Sequence, residues 1–218
     1  MNDHEVMTEV GPGRMVWRAP EATPTAVLLL GHGAGGQLDA LDLKALATEL
    51  PSRGIAVARF EQPWRTAGRR MSAPAPQLDL AWQAAVAAVR EQWPGVPVVT
   101  GGRSQGARVA CRTANELKAA GVVCLAFPLH PPGRPEKTRR PELLTPTVPV
   151  LVCQGSRDTF GSAGDVREAA AGAANVVVVE IVGADHSMRT RKADGIPQAG
   201  VVGLVVDTVT SFVTRFGA

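Results

Sequence analysis

The sequence predicts an α/β fold: a three-layer α/β/α sandwich built on a mostly parallel, doubly wound sheet. Three observations predict it. Six short apolar, β-branched runs are continuous rather than alternating, as strands buried on both faces should be. Stretches with helical spacing of apolar residues separate them, most closed by proline or glycine. From Ala26 onward strand and helix alternate to the C-terminus, the pattern of parallel strands joined by crossover helices.

The elements follow in order. Residues 1–20 form an N-terminal tail and a short strand pair, around Glu5–Val10 and Met15–Arg18, leaving His4 in a disordered tail. The first parallel strand, Ala26–Leu30, runs into the glycine loop Gly31–Gln37, and a helix over Leu38–Leu50 ends at Pro51 and Gly54. Ile55–Phe60 is the second strand, and the helix Leu78–Trp93 ends at Pro94 and Gly95. Val96–Val99 leads through Gly101–Ser104 into a helix over Gln105–Ala119, stopped by Gly121. Val122–Phe127 opens onto Pro128–Pro146, which is short, proline-rich and too small for an independent cap. Val148–Cys153 and Val176–Val182 complete the strands, with a weak helix at Val166–Ala171 and a last one at Val201–Phe216.

At 218 residues, 45% hydrophobic and 20% charged, the chain supports one sizeable core, so residues 1–218 are expected to form a single domain. The formal charge of +3 is small and the basic residues are scattered, although the isoelectric point is about 9.1. Nucleic acid is therefore not an expected partner. No apolar run approaches the roughly 20 residues that span a bilayer, and Met1–Glu9 is polar and acidic. A cytoplasmic protein without membrane association is expected. Cys111, Cys124 and Cys153 are widely spaced, with no Cys-x-x-Cys or His-x-x-x-His beside them, and are expected as buried free thiols rather than a metal site.

In sheets of this kind ligands bind beyond the carboxyl ends of the strands, so the loops leaving each run hold the chemistry. Gly102-Arg103-Ser104-Gln105-Gly106 lies between an apolar run and a helix, the strand-turn-helix elbow that exposes a serine nucleophile. A serine hydroxyl is weak near neutral pH and needs a base, for which an imidazole is suited. Of His4, His32, His130 and His186, only His186 follows every strand and a candidate acid, giving the order Ser, Asp, His. Asp158, leaving the fifth parallel strand, would orient His186; an Asx turn is its alternative use, and Asp185 is the reserve acid. The oxyanion would be bound by the backbone N–H of Gln105 and that of Ala34, with Gly33 close behind. His32 is expected to be a structural hydrogen-bonder.

Gly31-x-Gly33-x-x-Gly36, with Glu61 closing the next strand, also has the form of a dinucleotide fingerprint. A nicotinamide enzyme would leave Gly102–Gly106, Asp158 and His186 as coincidences. It ranks behind the serine site. Trp64, Phe127, Leu129, Phe160 and Met188 lie in or beside the crevice loops as candidate pocket linings, with His130 at the margin. Arg65, Arg69, Arg70 and Arg103 gather near the same edge and would favour a carboxylate- or phosphate-bearing substrate.

On these residues the chain resembles the α/β-hydrolase superfamily from Ala26 to its C-terminus. Gly101–Arg108, Phe127–Glu136 and Gln154–Gly161 narrow the likeness to the small capless branch related to dienelactone hydrolases, which includes testis-expressed protein thirty and a chromatin-complex regulatory subunit. Gln105 and Ala107 stand where that branch would have methionine and glycine. The resemblance implies a Ser104–His186–Asp158 triad working without a cofactor on a small-molecule ester or thioester. A hydrolase-fold scaffold without useful turnover is the alternative, and a homodimer is an open option.

Overall fold

The computed structural model describes residues 2–217. One eight-stranded sheet runs through the molecule: β1 (Asn2–Thr8), β2 (Gly11–Arg18), β3 (Ala26–Gly31), β4 (Ile55–Glu61), β5 (Val98–Arg103), β6 (Gly121–Leu125), β7 (Val150–Gly155) and β8 (Val176–Ile181). Their spatial order is β1-β2-β4-β3-β5-β6-β7-β8. β3 through β8 pair in parallel, and only the β1–β2 hairpin and the β2–β4 pair are antiparallel. All six parallel strands therefore end at one edge.

The continuous apolar runs have a direct cause in the layering. In β3, Leu28 and Leu30 join the core beneath α1 (Leu41–Glu49) and α7 (Gln198–Val213), while Val27 and Leu29 face α3 (Ala75–Gln92). Both pleat faces are dry, so every residue of that strand is buried. Each such leucine contributes about 1.5–3 kcal/mol of transfer free energy. A third cluster packs α4 (Gln105–Thr113) and α6 (Ala163–Ala169) against β6 and β7, through Ala107, Cys111, Val122, Cys124, Val152 and Val166. Two short helices, α2 (Pro63–Thr66) and α5 (Arg140–Leu143), lie in the crevice loops. Between β6 and β7 α5 is the only helix, so among the described residues no cap is inserted there.

Several expectations change. The N-terminal residues are not a tail: β1 is part of the main sheet, and His4 stacks on Trp17 with ring centroids 4.1 Å apart. The helix expected over Gln105–Ala119 ends at Thr113. Asn115 turns aside to bind Thr145 O and Thr147 N across the loop before β7, and Lys118 adopts a φ of 48°, which no helix continues through. The fourth parallel strand ends at Leu125 because Ala126 has a φ of 50°. One segment, Gln198–Phe216, is long and apolar enough by composition to cross a membrane; Val201, Val205, Val206, Val209 and Phe212 pack it into the core. All three cysteines are free and buried. Burial, with a smaller contribution from the Asp42 charge, pushes the Cys153 thiol up to about 12.

Candidate active site

Ser104 sits at the turn from β5 into α4 with φ 51° and ψ −109°, a backbone that L-residues rarely adopt. Its N–H is tied to Leu125 O at 2.9 Å. Glycine is required on both sides: a Cβ at Gly102 or Gly106 would collide with the Gly31 carbonyl at the end of β3. The crossing of β3, β5 and α4 is thus close enough to force the turn and project the serine side chain from the strand edge.

Ser104 donates its hydroxyl hydrogen to His186 Nε2 at 2.9 Å, and His186 Nδ1 donates to Asp158 Oδ2 at 2.8 Å. The carboxylate selects the imidazole tautomer, with the proton on Nδ1 and the Nε2 lone pair facing serine. Asp158 is enclosed, its side chain 0% exposed, while that of His186 is 20% exposed. Phe160 stacks on the His186 ring at 4.1 Å and 27°. Asp158 serves both of its anticipated uses, since Oδ1 accepts from Phe160 N at 2.8 Å as an Asx turn while Oδ2 faces the histidine. Asp185 is not in this chain of bonds. It folds the histidine loop by accepting from Ser187 N and Arg189 N.

The glycine loop reaches the same point. Gly33 lies against Ser104, where an added Cβ would meet the serine Cβ at 3.5 Å. Gln105 N–H is the first amide of α4, and Ala34 is exposed on the loop opposite. His32 braces the loop from behind: Nδ1 donates to Gly33 O at 2.7 Å and Nε2 accepts from Gln62 N at 3.0 Å. Burial lowers its pKa, matching a neutral ring held as a strut. Glu61, the acid of the alternative dinucleotide reading, pairs with Arg14 at 2.9 Å.

The expected pocket linings divide. Trp64, Phe127, Leu129 and Met188 are buried in the hydrophobic clusters, so they present little surface to the crevice. Trp64 packs edge-on to His32. His130 is engaged at its backbone by Phe160 O and at Nδ1 by Pro131 O. Arg65 is exposed and lies across Gly36, whose missing side chain makes room for it. Arg69 and Arg70 are exposed beside it. Arg103 is not free for substrate: it pairs with Asp42 at 2.9 Å and donates to the backbone carbonyl of His186.

Gln154, at the end of β7, was not anticipated. It is fully buried, and its side-chain amide faces Asp158 Oδ2 at 3.0 Å, Phe127 O at 3.1 Å and Gly161 O at 2.7 Å. The carboxylate is therefore held from a second direction before it meets the histidine. Asp42 was missed as well, since nothing in its local sequence distinguishes it from an ordinary acidic first turn of a helix.

This arrangement, a strained serine at a strand-to-helix elbow joined by imidazole to a buried carboxylate, is of the kind used in nucleophilic acyl transfer. The chain belongs to the alpha/beta hydrolase domain family, whose profile matches residues 24–214. Solved structures of similar fold include an alpha-beta serine hydrolase homologue from Coxiella burnetii, with a TM-score of 0.77 and 19% identity over 95% of this chain and 96% of that one. A serine hydrolase without a lid from Xanthomonas campestris matches at TM-score 0.74 and 21% identity, covering 97% and 94%. Est1E from Butyrivibrio proteoclasticus matches at TM-score 0.78 and 14% identity, covering 99% of each chain.

Proposed function

We propose that this protein is a serine hydrolase that cleaves a small ester or thioester through an acyl-enzyme. The observation that carries the reading is the unbroken hydrogen-bonded path from Ser104 through His186 to Asp158, with Ser104 in a strained conformation. His186 Nε2 takes the hydroxyl proton as Ser104 Oγ attacks the carbonyl carbon. Negative charge on the carbonyl oxygen is met by the Gln105 and Ala34 N–H groups, with Gly33 as the neighbouring donor, each worth about 3 kcal/mol in the transition state. His186 returns the proton to the departing alkoxide or thiolate. Water, activated by the same imidazole, releases the acid and restores Ser104.

Asp158 holds the Nδ1–H tautomer and balances the imidazolium that forms at each step. Without a cap, the entrance stays open to substrates that need little desolvation by the protein. Ser104→Ala is the direct test with a short-chain aryl ester. The expected result is a kcat lower by about 10⁴ to 10⁶ with KM little changed. Undiminished turnover would exclude the mechanism.

A further inference from the structure

His186 lies on an irregular segment between β8 and α7, so no strand or helix fixes its distance from Ser104. Asp185 shapes that segment by binding its own neighbours, and Arg157 N ties Ala184 O to the loop after β7. Neither contact reaches the nucleophile. Arg103 does: it is the last residue of β5, covalently next to Ser104, and its guanidinium donates to the His186 carbonyl. The other arm of the guanidinium contacts Asp42 Oδ2 at 2.9 Å, and Asp42 Oδ1 accepts from Leu43 N at 2.9 Å in the first turn of α1. Side-chain exposure is 11% for Arg103 and 1% for Asp42, so the pair is largely withdrawn from solvent.

We propose that Arg103, clamped by Asp42, is a positioning residue that sets the distance between the serine and the histidine; this rests on the hydrolase reading above. The planar guanidinium presents donors in a fixed fork, so gripping a buried carboxylate on one side fixes where the other side must hold the histidine backbone. Stability alone does not account for such a pair, because replacing a buried ion pair by apolar residues is often neutral or favourable. Geometry does account for it: a misplacement of about 1 Å in a reacting pair can cost roughly 100-fold in rate.

The test is Arg103→Met combined with Asp42→Leu, which removes both charges and leaves neither buried alone. Steady-state kinetics on a small neutral ester should give a kcat about 10- to 100-fold lower, with KM within about twofold and Tm retained. Arg103→Lys keeps the charge beside Asp42 but loses the fork, and should retain Tm while recovering only part of kcat. A double variant with wild-type kcat overturns the proposal, and, should that variant fail to fold, wild-type kcat in Arg103→Lys overturns it instead. Ser104→Ala is measured in parallel to keep the two readings apart. If it is inactive while the double variant is normal, only the positioning role falls; if it is fully active, both fall.

Discussion

Replacing Gln154 by methionine should loosen the carboxylate that faces His186, and the size of the effect follows from the bonds lost. The Gln154 amide has two hydrogens and three acceptors within 3.1 Å, namely Asp158 Oδ2, Phe127 O and Gly161 O, so two bonds at a time is its limit. One of these is to a charged group, worth about 1.5–3 kcal/mol, and the other strands a buried carbonyl at about 1–3 kcal/mol. Methionine matches the volume, so the cavity contribution is small. The sum is about 2.5–6 kcal/mol. For a chain of this length, roughly 2–4 °C of Tm accompany each kcal/mol, which gives a fall of about 5–24 °C. Differential scanning fluorimetry measures this, and ester turnover of the folded variant at a temperature well below its Tm should drop about tenfold as Asp158 gains freedom. A Tm within about 2 °C of the parent, or unchanged turnover, would refute the assignment of Gln154 as the second anchor of Asp158.

Gly102→Ala and Gly106→Ala each drive a Cβ into the Gly31 carbonyl, so either should cost more than the roughly 1–3 kcal/mol typical of overpacking and reduce soluble yield, read by expression and thermal melts. Stability should fall with acid because of His32, whose pKa is lowered by burial in the folded state. The neutral strut contributes fully above the unfolded value of about 6.5, and that contribution is lost as pH falls from there towards the lower folded-state value. Urea unfolding at pH 7.5 and 5.5 should show a loss of stability in acid for the parent and a smaller loss for His32→Gln. Matched neutral and anionic esters test the exposed Arg65, Arg69 and Arg70 group: kcat/KM should favour the anionic ester, and Arg65→Ala should remove most of that preference. Equal kcat/KM in the parent would count against selection by charge.

The layered fold was legible because its cause is local. Burial on both faces makes a strand such as Leu28–Leu30 apolar at every position, and the helices between strands keep their 3.6-residue period. The meeting of Ser104, His186 and Asp158 was legible for a related reason: all three leave parallel strands at the same edge, so chain order translates into proximity. Gln154, Asp42 and the role of Arg103 were not legible, since their partners are 4 to 83 residues away and mostly backbone carbonyls or carboxylates that carry no mark in sequence. Whether Trp64, Phe127 and Met188 line a pocket or pack beneath it was not legible, because an apolar side chain beside a crevice loop has the same sequence signature in either case. The β1–β2 hairpin was underestimated because its edge strand is exposed and polar, Asp3, His4 and Glu5 among it, and so resembles a tail.

If Ser104 is an activated nucleophile whose reactivity depends on His186, a fluorophosphonate probe followed by peptide mass spectrometry reads it out. One phosphonylated residue, Ser104, is expected in the parent protein, with a labelling rate at least about 100-fold lower in His186→Gln, whose general base is gone. Labelling of another residue, no labelling of the folded parent, or an unchanged rate in His186→Gln would contradict it.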